Sequence, residues 1–137
     1  MMDYGQLIPG KMEVVEVASA ASGGGANVVA TLGPTNDREV WLFMGGVGFH
    51  DDGVNRVLTL SISDGATTKA FYDNGGTAIA SSVYLNLLNA LGIYAGPIRL
   101  HYGSFLSATC VNADAGHKAY IRGLVYKIRG LESWAND

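Results

Sequence analysis

The chain has little charge, one cysteine and no long apolar run. Only 15% of its 137 residues are charged, against about 25% in an average soluble domain. The single cysteine, Cys110, excludes a disulfide within the chain and a zinc site built from several thiolates. No run of apolar residues is long enough for a membrane-spanning helix. The net charge of −3 is unlike the basic footprint of a nucleic-acid binder, so we expect neither membrane nor nucleic acid as a partner.

The residues that are present predict one folded domain with an arm in front of it. The chain is 48% hydrophobic and contains 19 glycines, which is unlike a disordered segment. We expect an N-terminal arm over residues 1–10 and a single domain over residues 11–137. The arm has an early aspartate and no apolar core, so it is not expected to be a signal peptide. Tyr4, Leu7 and Ile8 are its candidates for contact with a partner.

Alternating apolar and polar residues predict about eight strands. Turn signals such as Asp64-Gly65 recur every eight to twelve residues, a spacing typical of an antiparallel β-sandwich or jelly roll. Gly45-Gly46 and Gly123 each indicate a bulge or bend within a strand. The predicted strands cover residues 11–18, 27–32, 38–50, 55–63, 67–72, 98–102, 104–111 and 117–129.

One segment has a helical rather than an alternating pattern. In SSVYLNLLNALG, residues 81–92, Val83, Leu87, Leu88 and Leu91 recur at helical spacing. This pattern predicts one short helix near residues 81–92, and a pair of strands is the alternative.

The stretch CVNADAGH, residues 110–117, contains a thiol, a carboxylate and an imidazole. A cysteine nucleophile needs a base within hydrogen-bond reach. Cys110 alternates with Leu106 and Ala108, so its side chain is predicted to face the core and to stay protonated. Asp114 and His117 belong to the hairpin turn that follows. We therefore expect a structural turn and no catalytic residue.

Other polar clusters also favour turns over chemistry. The HDDG sequence at residues 50–53 offers too few oxygen ligands for a hard cation, and the DNGG sequence at residues 73–76 is similar. The glycines at residues 23–25 lack the lysine and serine or threonine of a phosphate loop. The sequence therefore predicts no metal site, no cofactor and no enzymatic activity.

Strand 38–50 presents two apolar faces. Trp41 and Phe43 lie on one, and Leu42 and Met44 lie on the other. In a two-sheet protein one such face is core, and the other is exposed unless a partner covers it. We take Trp41 and Phe43 as candidates for partner contact.

The sequence resembles a family of virus proteins in layout. PIRLHYGSFLSATCVNADAGHKAYIRGLVYKIR, residues 97–129, is similar to the C-terminal strands of small bacteriophage virion proteins. These are capsid decoration (cement) proteins and related head or tail accessory β-sandwiches. The shared pattern is a proline-led strand, a glycine break, a Ser/Thr strand, an Ala-Asp-Ala-Gly-like hairpin and a strand with a central glycine. The resemblance extends over residues 25–129.

This resemblance implies a non-enzymatic protein that binds the outside of an assembled icosahedral shell, often as a trimer. Its partners would be the major capsid protein or other virion proteins. Its location would be the capsid surface, after synthesis in the host cytoplasm. A receptor- or carbohydrate-binding sandwich of a fibre or tail tip is the alternative, with Trp41, Tyr72, Asp73 and Asn74 as sugar contacts.

Overall fold

The computed structural model describes residues 10–87 and 97–129, which form nine strands in two antiparallel sheets. This confirms the predicted all-β sandwich. A 3₁₀ turn at Asn74–Gly76 separates the fifth and sixth strands. The strands are β1 (Gly10–Ala18), β2 (Ala26–Leu32), β3 (Glu39–His50), β4 (Leu58–Ser63), β5 (Thr68–Tyr72), β6 (Leu85–Asn86), β7 (Ile98–His101), β8 (Phe105–Ala113) and β9 (Ala119–Arg129).

The strand order is that of a jelly roll. One sheet has the order β1-β9-β3, with β7 and the short β6 pairing with different parts of the free side of β3. The other sheet has the order β2-β8-β4-β5. With β6 set aside, the first strand pairs with the last, the second with the next to last, and so on inward to the β4–β5 hairpin. The chain is thus one long hairpin rolled into two sheets.

The core lies between the two sheets and follows from the alternation of the strands. Ala108 and Cys110 of β8 belong to one buried apolar cluster together with Trp41 and Phe43 of β3. The neighbouring strands add further fully buried side chains, namely Ala30, Leu32, Leu60, Leu106, Ile121 and Val125.

Two glycines allow β3 and β9 to approach closely at their centres. Gly46 pairs with Gly123 in the ladder. A Cβ on Gly123 would lie 2.6 Å from the ring of Phe43, and a Cβ on Gly46 would collide with the carbonyl oxygen of Arg122. The buried Phe43 ring therefore occupies space that side chains at these two positions would need.

The bulge predicted for the last strand lies in β3 instead. The ladder register shifts between Phe43 and Gly45, as the Gly45-Gly46 pair indicated, and Gly45 has a φ of 150°. Gly123 pairs in regular register with Val15 on one side and Gly46 on the other. The prediction of a bulge at Gly123 is therefore wrong, because that glycine makes room for an aromatic ring.

The predicted helix near residues 81–92 falls only partly within the described residues. Leu85–Asn86 form β6, which pairs with Val47 and Gly48. These two residues agree with the alternative of strand pairing, Leu87 is helical as the helix prediction requires, and residues 88–92 lie outside the described residues. Of the predicted arm at 1–10, residues 1–9 also lie outside them, whereas Gly10 begins β1.

We predict that Gly46→Ala destabilises the fold by about 1–3 kcal/mol, the usual cost of overpacking. The new methyl group would meet the Arg122 carbonyl, which belongs to the ladder and cannot turn aside. Urea unfolding measures the change.

Gly23→Ala is the matched control for this substitution. A Cβ there has no neighbour within 4 Å, so the free energy of unfolding should change by less than about 0.5 kcal/mol. Equal stability of the two variants would contradict the close packing of β3 on β9.

Candidate functional site

The polar residues singled out in the sequence meet at one end of the sandwich, where they hold loops together. His50 and Asp52 follow β3, and both are buried. His50 Nε2 lies 2.8 Å from the Ile79 carbonyl oxygen, and its Nδ1 accepts the backbone N–H of Asp52 at 3.1 Å. A carbonyl can only accept, so Nε2 carries the proton and Nδ1 does not. Both nitrogens of this imidazole are engaged.

The Asp52 carboxylate joins its own loop to the turn between β8 and β9. It accepts hydrogen bonds from the Asp114 N–H at 2.8 Å, the Arg56 guanidinium at 3.0 Å and the Val54 N–H at 3.3 Å. Burial opposes ionisation, but these hydrogen bonds outweigh it and hold the pKa of Asp52 well below its usual range. Arg56 also reaches the Asp114 carboxylate at 2.8 Å. The carboxylate is therefore a structural anchor with its bonding capacity used.

Asp51 fastens the hairpin between β8 and β9 in the same way. Its oxygens accept from the Lys118 N–H at 2.8 Å, from the Tyr120 hydroxyl at 2.7 Å and from His117 Nδ1 at 3.2 Å. The bond to Asp51 raises the pKa of Tyr120 to about 12. The imidazole of the CVNADAGH stretch thus pairs with a carboxylate on another loop.

Cys110 lies in the core, as its strand register predicted. It has no exposed surface, and burial, with a smaller contribution from Asp52, raises the pKa of its thiol to about 11. His117 is bonded to Asp51, so within the described residues the thiol has no base to activate it. The CVNADAGH stretch is therefore a strand end followed by a turn.

The described residues 10–87 and 97–129 contain no group of three His, Cys, Asp or Glu side chains placed to hold a metal ion. The sugar contacts considered for the alternative function also have structural roles. Tyr72 donates its hydroxyl to Asn74 at 3.0 Å, and Asp73 accepts from the Gly76 N–H in the 3₁₀ turn.

The choice of Trp41 and Phe43 as partner contacts requires correction. Trp41 is 5% exposed and Phe43 is fully buried, because their face of β3 turns toward the second sheet. The Trp41 indole donates to Glu39 at 2.8 Å, and the Lys127 ammonium lies 4.4 Å from the ring centre. The opposite face of β3, which carries Leu42 and Met44, points away from the core.

That opposite face is part of a continuous outward apolar surface on the five-stranded sheet, which we call the outer apolar face. In register, Met12 of β1 lies beside Tyr126 of β9, and Tyr126 lies beside Leu42 of β3. The most exposed member is Val14, at 73%. The face comprises Met12, Val14, Val40, Leu42, Met44, Leu124, Tyr126 and Ile128.

At one end this face is covered by the protein's own side chains. The Phe49 ring lies between those of Tyr84 and Tyr120, with ring centres 4.6 and 4.9 Å away and planes nearly parallel. Arg122 lies 5.1 Å from the Phe49 ring centre and pairs with Glu16 at 3.1 Å. The aromatic stack and the ion pair bound the outer apolar face, and no such contact covers its centre within residues 10–87 and 97–129.

Sequence reasoning missed this surface, although a signal for it was present. In β1 the even positions Met12 and Val14 and the odd positions Val15 and Val17 are all apolar. A strand that buries only one face alternates between apolar and polar residues. Apolar residues on both faces of an edge strand therefore indicated a second covered surface.

The fold defines the protein as an antiparallel jelly-roll domain without a recognisable reaction centre in its described residues. No family model matches the sequence, and comparison with curated proteins finds no relative. A solved structure with a similar fold is a chain of the virus-like particle of the giant freshwater prawn Macrobrachium rosenbergii extra small virus. The two chains are 10% identical, the match covers 90% of this chain and 81% of that one, and the TM-score is 0.47. At these values the match says nothing about function.

Within the described residues, no helix has the length and hydropathy needed to span a membrane.

We predict that Asp52→Ala lowers the free energy of unfolding by about 1–3 kcal/mol, because it leaves the Asp114 and Val54 N–H groups without an acceptor and removes one of the two partners of Arg56. Thermal or urea unfolding at neutral pH measures the loss. Asp37→Ala, in an exposed loop, is the control and should leave stability nearly unchanged. A small effect at Asp52 would contradict its role as an anchor.

The same variant should alter the response to acid. The folded-state pKa of Asp52 lies below its unfolded value, so its contribution is present above the unfolded pKa and is lost as pH falls through the folded one. Between about pH 5 and about pH 2 the unmodified protein should lose more stability than Asp52→Ala does.

Proposed function

We propose that this chain is a non-enzymatic structural virion protein that binds an assembled capsid surface in a decoration or cement role. The outer apolar face carries the proposal. Jelly rolls are frequent among capsid and lectin domains, and an uncovered apolar surface of this kind marks an interaction site. The major capsid protein, within an assembled shell, is the proposed occupant.

The size of the face favours a shell over a second copy of the chain as occupant. Val14, Met12, Leu124 and Met44 are 73%, 48%, 40% and 38% exposed. Together they present on the order of 400 Å² of apolar surface. A stable dimer usually buries about 800 Å² on each partner. A contact of this size is weak alone and becomes effective when several act together.

The surroundings of the face match the usual anatomy of an interface. Its centre is apolar, and the Glu16–Arg122 ion pair lies at one margin. An apolar centre with a charged rim is typical of protein–protein contacts. We further propose a homotrimer, because three weak faces that bind one shell at once increase the overall affinity by their effective concentration.

The N-terminal arm supplies a second proposed contact. Gly10 places the start of β1 at the edge of the five-stranded sheet, in register with Ile128. The described chain therefore begins at the margin of the outer apolar face. Tyr4, Leu7 and Ile8 would add apolar area to the same contact with the shell, at roughly 1.5–3 kcal/mol for each well-buried side chain.

We predict that Val14→Asp abolishes co-sedimentation of the purified chain with tail-less capsid shells. The carboxylate would lose its hydration in an apolar contact without gaining a partner. Val14 lies on an edge strand, where a charged residue is tolerated, so unfolding by urea should stay nearly the same.

Val29→Asp is the matched control. Val29 is 47% exposed and lies on β2, the edge strand of the other sheet. It should bind shells as the unmodified chain does. Loss of binding in both variants, or in neither, would reject the outer apolar face as the contact. Analytical ultracentrifugation of the same samples reports the oligomer, for which we expect a trimer.

We predict that deletion of residues 2–8 weakens shell binding and leaves the melting temperature of the isolated protein almost unchanged. The arm gains buried area only against the shell, and ordering it costs about 1–2 kcal/mol per residue. Calorimetry and co-sedimentation measure the two effects. Unfolding of the shortened chain would show that the arm belongs to the core, and unchanged binding would remove it from the contact.

The alternative is a receptor- or carbohydrate-binding sandwich of a fibre or tail tip. The jelly roll also serves lectins, so the fold is compatible with both roles. A protein of this kind would need a tail or a sugar for binding, and it would not sediment with tail-less shells.

A further inference from the structure

A groove of about 320 Å³ opens where the β4–β5 hairpin meets β7, beside the outer apolar face. Its apolar floor includes Ile62 and Leu100. Lys69, Arg99 and His101 line the walls. The groove thus combines an apolar floor with two cationic side chains, an arrangement that suits a small anionic group.

The two cations are available for a ligand. Lys11, Arg56, Arg122, Lys127 and Arg129 each form an ion pair with a carboxylate of the chain. Within the part of the chain that the structure describes, Lys69 and Arg99 form none, although both side chains line the same groove.

The one carboxylate in the groove is already occupied. Asp64 Oδ1 accepts the Ala66 N–H at 2.9 Å and the Thr67 N–H at 2.8 Å, which closes the turn between β4 and β5. Lys69 and Arg99 therefore keep an excess positive charge in the groove. Asp64 keeps its negative charge, so the two cations and this carboxylate together leave one net positive charge in the groove.

The walls are held in place before any ligand binds. The Ser104 hydroxyl accepts the His101 N–H and donates to the His101 carbonyl oxygen, both at 2.8 Å. Lys69 pairs with Ile62 in the β4–β5 ladder. Cations on rigid elements lose less freedom on binding, which raises the affinity that a few contacts can supply.

A second groove of about 430 Å³ adjoins the first and includes Ser104 in its lining. Tyr102 lies in it and is 56% exposed. An exposed ring offers a flat apolar surface with a polar edge. An aromatic surface beside a cationic groove suits a sugar that carries an acidic group.

We infer that these two grooves bind an acidic sugar, with its carboxylate or sulfate on Lys69 and Arg99 and a sugar ring against Tyr102. The grooves adjoin the outer apolar face, because Arg99 pairs with Leu42 and His101 with Val40, but the proposed ligand is an acidic sugar and not a protein shell. A sugar carboxylate and a free inorganic anion would both be attracted by the two cations. The test must therefore distinguish binding of the sugar from binding of an anion alone.

The test titrates the full-length chain, labelled with ¹⁵N, with N-acetylneuraminic acid, N-acetylglucosamine and inorganic sulfate. Saturable amide shifts at Thr67, Lys69, Arg99 and His101 with the acidic sugar, and none with the neutral one, are expected. Lys69→Gln and Arg99→Gln should each weaken binding about tenfold, the equivalent of roughly 1.4 kcal/mol.

Two further variants make the result specific. Lys118→Gln removes a cation at the opposite end of the five-stranded sheet, beside Asp51, and should not affect binding. Tyr102→Ala should weaken the binding of the acidic sugar more than the binding of sulfate.

Other outcomes would overturn the inference. Sulfate binding without binding of the acidic sugar would leave an anion site and reject the sugar. Equal binding of the neutral sugar, or shifts that survive both cation substitutions, would reject the cationic groove. Loss of shell binding in Val14→Asp with sugar binding intact would separate this site from the proposed function.

Discussion

The pairing of β9 with both β1 and β3 is the constraint on which the rest of the structure depends. β9 is the last strand in the chain and lies between the first and the third, so the sheet closes only when distant segments meet. The Gly46–Gly123 pair leaves room for the Phe43 ring, because a Cβ at either position would lie too close to it. Once β9 is in place, the β8–β9 hairpin brings β8 between β2 and β4, and the core forms between the two sheets.

The hydrogen bonds of Asp52 hold together the loops at one end of the sandwich, which the strand ladders do not fix. Loops at this end of the sandwich have backbone N–H groups that no ladder satisfies. The buried Asp52 carboxylate accepts two donors from its own loop and one from the turn between β8 and β9. The same hydrogen bonds that hold its pKa low make this end of the sandwich rigid near neutral pH. Residues that suggested chemistry in the sequence therefore serve stability, and Cys110 lies in the core beside them without an activating base in the described chain.

Binding is proposed at two surfaces that the scaffold leaves uncovered. The outer apolar face lies on the sheet that contains β9 at its centre, and it has apolar side chains where a solvated sheet would carry polar ones. The cationic groove lies where the β4–β5 hairpin of the other sheet meets β7 of this one, and its Lys69 and Arg99 form no ion pair within the described residues. The first surface suits a protein shell and the second suits an acidic ligand. A jelly roll can present both because its loops and its outer faces vary independently of its core.

The sequence by itself determined the strands, most of their boundaries, the core position of Cys110 and the turn role of residues 110–117. Alternation and turn residues are local properties, so they can be read without the fold. The tertiary structure alone decided which apolar face of β3 is buried, because Trp41, Phe43, Leu42 and Met44 are all apolar and alternation cannot rank them. It also decided the role of Gly123, since a glycine that admits a distant aromatic ring has the same local signature as one that forms a bulge. Similarly, the meeting of Lys69 with Arg99 depends on two sheets packing together, which no local pattern contains.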